Sequence, residues 1–162
     1  MGMEAILKKI YGSEKISLTL KIISHASVAL TVAVFLSVTY LSYISGVTEA
    51  IKLFVSALVP FVIVTVTRRL INAERPYELY GFYTVPPKKK KGCSFPSRHV
   101  FSAFCIATLA LPYSVLLGAS AYCAGVALSV ARVLLGFHFI RDAVCGAAIG
   151  IISGIIGILI IL

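Results

Sequence analysis

Residues 142–162 of the chain read DAVCGAAIGIISGIIGILIIL. After Asp142 this stretch contains no charged side chain, and about 20 apolar residues is the helix length that crosses the hydrocarbon core of a bilayer. Lipid cannot hydrogen-bond to an exposed backbone, so a segment this apolar is expected to cross the membrane as a helix. The stretch therefore predicts a transmembrane helix, and with it an all-α integral membrane protein.

The composition of the whole chain points to the same class. Of its 162 residues 59% are hydrophobic and 13% are charged, and the mean hydropathy is +1.00. A soluble domain is roughly half apolar and a quarter charged, which excludes an ordinary cytosolic enzyme. The formal net charge is +9, but so apolar a chain is neither a disordered basic tail nor a nucleic-acid-binding module. We therefore expect the lipid bilayer as a partner and no nucleic acid.

The apolar runs predict one helical membrane domain over residues 1–162. Residues 1–21 mix charged and apolar positions and predict an interfacial amphipathic helix with Ile6, Ile10 and Leu18 as its apolar contacts. Five longer runs predict transmembrane spans. Their approximate bounds are 22–45, 50–67, 99–116, 119–137 and 142–162.

Five crossings place the N-terminus, the polar loop 68–98 and the junction 138–142 on one side of the membrane. Of the 15 basic residues, only Lys52 then lies on the other side. Cytoplasmic loops carry the excess of Lys and Arg, so the charge distribution favours a cytoplasmic face in the cell membrane. The run Lys88–Lys91 is interpreted as part of this topology signal, close to anionic headgroups, and a specific contact with the substrate is the alternative.

Three polar segments lie on the predicted basic face. They are RRLINAERP from Arg68 to Pro76, PSRH from Pro96 to His99, and ARVLLGFHFIRD from Ala131 to Asp142. Ionisable residues at membrane depth are costly and usually mark a functional site. The seven-residue spacing of Arg68 and Arg75 places both on one helical face if the helix continues that far.

The residue types in these segments suit phosphoryl chemistry. Arginine side chains bind phosphate oxygens through paired, charge-assisted hydrogen bonds. His138 and Asp142 are spaced i, i+4, so the carboxylate is expected to contact one ring nitrogen while the other attacks phosphorus. A second histidine, His99, is a candidate to protonate the departing oxygen.

In their order, the three segments resemble the motifs of the type 2 phosphatidic acid phosphatase superfamily, which are KxxxxxxRP, PSGH and SRxxxxxHxxxD. The resemblance covers roughly residues 50–155 and implies an integral membrane lipid phosphatase related in fold to vanadium haloperoxidases. It also implies that His138 is the nucleophile that forms a phosphohistidine, with Asp142 as its orienting partner and His99 as the general acid. The residues implied to bind the substrate phosphate are Arg68, Arg75, Ser97, Arg98 and Arg132.

This chain departs from the family pattern at three positions. Arg68 replaces a lysine, Ala131 replaces a serine, and Arg98 replaces the glycine of PSGH. Arginine at position 98 keeps the backbone N–H that the family glycine offers to phosphate and adds a cation, which suits either a diphosphate or lipid headgroups.

The implied substrates are lipid phosphomonoesters or diphosphates. They include prenyl diphosphates such as undecaprenyl diphosphate, phosphatidylglycerophosphate and phosphatidate. No cofactor is implied, and only six acidic residues are present, of which Asp142 alone lies in the histidine motif. We therefore expect no metal site. The resemblance and the charge distribution imply different sides of the membrane. Bacterial members of the family commonly act on the outer face of the cell membrane, whereas the charge distribution favours the cytoplasmic face.

Other functions are compatible with the same residues. A lipid phosphotransferase would use this chemistry with an acceptor other than water. A non-catalytic lipid-binding protein, or a heme protein with His99 and His138 as ligands, would leave the cluster of arginines largely unexplained.

A glycine stripe follows the candidate catalytic pair. His138, Asp142, Gly146, Gly150 and Gly154 repeat every four residues, and glycines at this spacing allow close approach of another helix. We expect this stripe to face the bundle interior, against a face of the fourth span formed by Gly125, Ser129 and Arg132. A homodimer through the three glycines is the alternative.

Overall fold

The computed structural model describes residues 2–81 and 91–161. Within these ranges all regular secondary structure is helical, and the predicted all-α membrane fold is confirmed. The helices are α1 (Met3–Tyr11), α2 (Glu14–Ser45), α3 (Val47–Ile71), α4 (Pro76–Leu79), α5 (Arg98–Ala110), α6 (Val115–Leu134) and α7 (Ile140–Ile161). Of the basic run Lys88–Lys91, all but Lys91 lies outside the described residues.

In the described part of the chain, four helical segments are long and apolar enough to cross a membrane: Glu14–Ser45, Val47–Leu79, Val115–Leu134 and Ile140–Ile161. The predicted third span, 99–116, is not among these four segments. It contains α5, which has 13 residues and is therefore about 20 Å long. The apolar run continues beyond α5, but Leu111–Tyr113 form a turn and Pro112 lacks the N–H that a continuing helix needs.

Helix α5 lies at the centre of the bundle and contacts α2, α3, α6 and α7. At its far end, the hydroxyl groups of Tyr113 and Ser42 lie 3.1 Å apart at the end of α2. The segment from Arg98 to Tyr113 therefore runs from the polar end of the bundle to the opposite end, although its helix is short.

The glycine stripe of α7 packs on α5, as expected for an interior face. A Cβ atom at Gly146 would lie 2.6 Å from the carbonyl oxygen of Ser97, and one at Gly150 would lie 2.5 Å from that of Phe101. Gly154 faces Thr108 in the same way. The face that these glycines form is therefore covered by a helix of the same chain, and the alternative of a homodimer through them is not supported.

The expected partner surface on α6 was wrong. Helix α6 makes few contacts with α7, and Gly125 instead packs against Phe104 of α5. Both α6 and α7 therefore pack mainly against α5 rather than against each other.

The N-terminal segment differs from the single interfacial helix predicted over residues 1–21. Helix α1 ends at Tyr11, a break follows at Gly12 and Ser13, and residues from Glu14 onward belong to α2. Of the predicted apolar contacts, Ile10 is buried and Leu18 is 56% exposed. Leu7 is the fully buried residue of α1, and its side chain packs against Gly136.

Candidate active site

The polar segments converge at one end of the bundle. They comprise the end of α3 and the residues after it, the coil 91–97, the start of α5, the loop 135–139 and the start of α7. Five of the predicted site residues are buried there: Arg68, Arg75, Ser97, His138 and Asp142. The structure thus brings together residues that are up to 74 positions apart in the sequence.

His138 lies in the loop between α6 and α7 and is 1% exposed. Its Nδ1 lies 2.8 Å from the carbonyl oxygen of Ser94. A carbonyl oxygen can only accept, so Nδ1 carries the proton and donates it, which leaves the lone pair of the neutral ring on Nε2. Burial, together with the nearby positive charges of Arg75 and Arg68, holds the pKa of His138 well below its usual value of 6.5. The imidazole is therefore neutral at physiological pH.

Asp142 is fully buried at the start of α7. Its Oδ2 accepts hydrogen bonds from the Ser94 hydroxyl at 2.5 Å and from the backbone N–H of Phe139 at 3.0 Å. The distance from Oδ2 to His138 Nδ1 is 3.9 Å, which is too long for a hydrogen bond. Asp142 therefore holds the loop and Ser94, while the direct partner of the imidazole is the Ser94 carbonyl.

Ser94 is a residue of this site that the sequence motifs do not predict. Its side chain is fully buried, its hydroxyl binds Asp142, and its carbonyl binds His138. Ser94 lies two residues before the Pro96–His99 motif, and a single serine in a coil carries no pattern that would single it out. Only the placement of coil 91–97 against the loop 135–139 reveals its position.

Arg68 and Arg75 come together by a route other than the one predicted. Helix α3 ends at Ile71, and Asn72 adopts a left-handed conformation with φ of 44°, so the two arginines do not share one helical face. Instead both reach the coil 91–97, in the last part of the polar loop. Arg68 Nη2 donates to the Cys93 carbonyl, and Arg75 Nε donates to the Gly92 carbonyl at 2.9 Å.

Arg132 extends from the last turn of α6 over the ring of Phe137, with its guanidinium carbon 5.3 Å from the ring centroid. Its Nε is buried and has no hydrogen-bond partner in the described part of the chain, and the same holds for the hydroxyl oxygen of Ser97. Buried polar groups normally have partners. Two orphaned groups beside a buried imidazole are therefore suited to a polar ligand.

Arg98 and His99 lie at the start of α5 and are both partly buried. They line one end of a cavity of about 240 Å³ whose other walls are largely apolar. The guanidinium carbon of Arg98 lies 5.3 Å from the centroid of the Phe61 ring.

The site has a strong excess of positive charge. Among residues 2–81 and 91–161, no ion pair joins a carboxylate to Arg68, Arg75, Arg98 or Arg132. Asp142 is buried within the site, but its ion-pair partner is Arg141 at 3.6 Å. In the same ranges, no group of three or more His, Cys, Asp or Glu side chains is placed to hold a metal ion. Cations without counterions around a neutral imidazole form a site that attracts an anion.

Helix α1 supports this site from the N-terminal side. The Tyr11 hydroxyl donates a 2.6 Å hydrogen bond to the Leu135 carbonyl, and burial raises the pKa of Tyr11 to about 12. The Gly136 carbonyl accepts from the backbone N–H of Tyr77 at 3.1 Å. The loop that carries His138 is therefore held by α1 and α4 as well as by Asp142.

The family resemblance seen in the motifs is confirmed. A family model described as PAP2 superfamily matches residues 27–162, and the chain belongs to the PAP2 superfamily. This membership and the membrane-spanning helices support an integral membrane lipid phosphatase.

Two solved structures share the fold. The crystal structure of LpxE from Aquifex aeolicus matches with a TM-score of 0.71 and 22% sequence identity, over 96% of this chain and 93% of that chain. A transmembrane PAP2-type phosphatidylglycerolphosphate phosphatase from Bacillus subtilis matches with a TM-score of 0.71 and 18% identity, over 96% of this chain and 82% of that chain. No curated protein sequence matches the chain.

Proposed function

We propose that the protein hydrolyses a lipid phosphomonoester or diphosphate in two steps, through a phosphohistidine formed on His138. The observation that carries this proposal is the hydrogen bond from His138 Nδ1 to the Ser94 carbonyl. It directs the lone pair of a neutral imidazole to Nε2, which is the requirement for nucleophilic attack on phosphorus. As the Nε2–phosphorus bond forms, the bond from phosphorus to the leaving oxygen breaks.

The arginines would hold the transferring phosphoryl group. Charge in such a transition state is spread over three equatorial oxygens, and fixed cations stabilise it without reorganisation. Arg68 and Arg75 are already oriented by the carbonyls of Cys93 and Gly92. The orphaned Arg132 Nε and the Ser97 hydroxyl would complete the set. With this neutralisation supplied by side chains, the reaction requires no metal ion.

His99 would take up a proton from solvent beside the bound phosphate anion and then act as the general acid for an alkoxide leaving group. It is adjacent to Arg98 at the start of α5, beside the apolar cavity, where a lipid leaving group would lie. Water then attacks the phosphohistidine, the nitrogen–phosphorus bond breaks, and inorganic phosphate leaves. His99 would accept the proton of that water as a general base.

The position of the site supports a lipid substrate. The buried residues lie at the end of four helices that are long enough to span a membrane, so the phosphate of a bilayer lipid reaches them while its tail stays in lipid. The candidates are prenyl diphosphates such as undecaprenyl diphosphate, phosphatidylglycerophosphate and phosphatidate. The Bacillus subtilis protein of similar fold is a phosphatidylglycerolphosphate phosphatase, which supports phosphatidylglycerophosphate as a candidate. By charge, we place the site on the cytoplasmic face of the cell membrane.

The test is phosphate release from a panel of these lipids by the purified protein in detergent, with EDTA present throughout. The wild-type chain should release phosphate from at least one of them, and His138→Ala should release none. His25→Ala is a matched control, because His25 is exposed on α2 and its Nδ1 bonds the carbonyl of Lys21, within the same helix. Wild-type protein without phosphatase activity on the whole panel, or His138→Ala with wild-type activity, would overturn the proposal.

A further inference from the structure

Arg98 is the residue that most separates this site from the family motif, which has glycine there. It is the first residue of α5, and its guanidinium lies over the Phe61 ring rather than in solvent. None of the ion pairs between described residues involves Arg98. Its charge is near enough to Arg68 and His99 to act on both. A partly buried cation without a counterion, beside the phosphate-binding arginines, is suited to an additional anionic group.

The cavity next to Arg98 offers a place for the lipid tail. Its walls come from α2, α3, α5 and α6, and Arg98 and His99 are its charged or titratable residues. On α2 the wall includes Val32, which is 50% exposed, so the cavity opens toward the surrounding lipid. The leaving group of a lipid phosphate carries the tail, and His99, the proposed general acid for that group, lines the same cavity as Arg98. We therefore assign Arg98 to the side of the leaving group.

The cavity receives only part of a lipid tail. Its volume of about 240 Å³ is below the range of roughly 300–1,000 Å³ that is usual for pockets enclosing a whole small ligand. The first part of a tail would therefore enter it while the rest stays in the bilayer. Its apolar wall residues, among them Val28, Ile106 and Leu128, suit a hydrocarbon.

We propose, on the basis of the proposed phosphatase function, that Arg98 binds the tail-proximal phosphate of a lipid diphosphate and makes lipid diphosphates the preferred substrates. His138 Nε2 attacks the terminal phosphorus, and the bond from that phosphorus to the bridging oxygen breaks. The electron pair stays on the bridging oxygen, which becomes part of a lipid monophosphate. Arg98 pairs with the negative charge that develops there.

This assignment also explains how the leaving group departs. The second pKa of a phosphate monoester is about 6, so the lipid monophosphate leaves as an anion without needing a proton. An alkoxide released from a monophosphate does need one. A cation at position 98 therefore assists the departure of a phosphate more than that of an alkoxide.

The test compares farnesyl diphosphate with farnesyl monophosphate, which share one tail and differ by one phosphate. Phosphate release in detergent gives kcat/KM for each, and the readout is the ratio of the diphosphate value to the monophosphate value. Arg98→Gln keeps most of the side-chain length and removes the charge, and Arg98→Lys keeps a charge without the planar fork. We expect the ratio to fall at least tenfold in Arg98→Gln and by less in Arg98→Lys.

Arg69→Ala is the matched control, because Arg69 is an exposed cation at the same end of α3 and lies outside the site. Its ratio should equal that of the wild type, and a tenfold fall there would overturn the proposal by attributing the effect to general surface charge. An unchanged ratio in Arg98→Gln, with measurable turnover of both substrates, would also overturn it while leaving the phosphatase function intact. Absence of phosphate release from any lipid by the wild type would instead contradict the phosphatase function.

Discussion

The Ser94 hydroxyl donates a 2.5 Å hydrogen bond to Asp142 Oδ2, and the carbonyl of the same serine accepts one from His138. Asp142 is thereby linked to the imidazole through Ser94 rather than directly, across a distance of 3.9 Å. The proposed nucleophile depends on the position of the coil that carries Ser94.

Ser94→Ala tests this link. The substitution leaves the carbonyl in place but removes one of the two hydrogen bonds to Asp142 Oδ2, and a buried hydrogen bond to a charged group contributes about 1.5–3 kcal/mol. We expect kcat for phosphate release to fall roughly 10- to 100-fold, with KM little changed, because the arginines remain. Ser120→Ala, which alters a serine bound within α6, is the control. Wild-type kcat in Ser94→Ala would remove the serine from this role.

Asp142→Asn tests the charge of the carboxylate at nearly constant volume. The negative charge stabilises the positive charge that develops on His138 as it attacks phosphorus, and an amide cannot replace it. We expect a loss of at least 100-fold in kcat, measured by phosphate release after size-exclusion chromatography has shown a folded protein. Activity within threefold of the wild type would show that the Ser94 carbonyl alone is sufficient.

The sequence predicts which residues form the site better than it predicts the hydrogen bonds between them. Five of the predicted residues are buried at one end of the bundle: Arg68, Arg75, Ser97, His138 and Asp142. The motifs could predict them because charged groups are costly in a membrane protein and are kept mainly where they function. The contact between Ser94 and His138 joins residues separated by 44 positions, and no local pattern encodes it.

The differences in the fold have equally local causes. The turn at Leu111–Tyr113 is as apolar as the helix before it, and hydropathy does not distinguish the two. The predicted span 99–116 therefore extends past the end of α5 at Ala110. The stripe of glycines in α7 does predict close helix packing. It does not identify the partner, which is α5 and not α6.

Gly150→Ala tests how closely α7 and α5 are packed. A Cβ there would lie 2.5 Å from the Phe101 carbonyl oxygen and 3.0 Å from the Cys105 backbone nitrogen, and backbone atoms cannot move aside as flexible side chains do. Overpacking typically costs about 1–3 kcal/mol, so the thermal midpoint in detergent should fall by several degrees. Gly2→Ala, where a Cβ meets nothing within 4 Å, should leave it unchanged. An unaltered midpoint in Gly150→Ala would contradict the close packing.

Metal independence is tested with excess chelator and with vanadate. Arg68, Arg75 and Arg132 are proposed to neutralise the phosphoryl oxygens, so activity should persist in EDTA within twofold of the untreated value. Vanadate resembles the five-coordinate phosphoryl group and should inhibit, and Arg132→Ala should weaken that inhibition at least tenfold by removing one of the cations that hold the anion. Activity that disappears in EDTA and returns with magnesium would contradict this mechanism.

The orientation of the site in the membrane is tested at Cys93. This residue is partly exposed in the coil that carries Ser94, whereas Cys105, Cys123 and Cys145 lie within helices α5, α6 and α7. Excluding Arg68, Arg75, Arg98 and Arg132, the topology predicted from the sequence places ten basic residues on the side of the site and only Lys52 on the other, which favours the cytoplasm. In intact cells, a membrane-impermeant maleimide should therefore label Cys93 only after permeabilisation. A Lys91→Cys variant in a Cys93→Ser background provides an exposed thiol two residues away and should behave in the same way. Labelling of either thiol before permeabilisation, absent from Cys93→Ser alone, would place the site outside the cell and show that the basic residues serve substrate binding rather than topology.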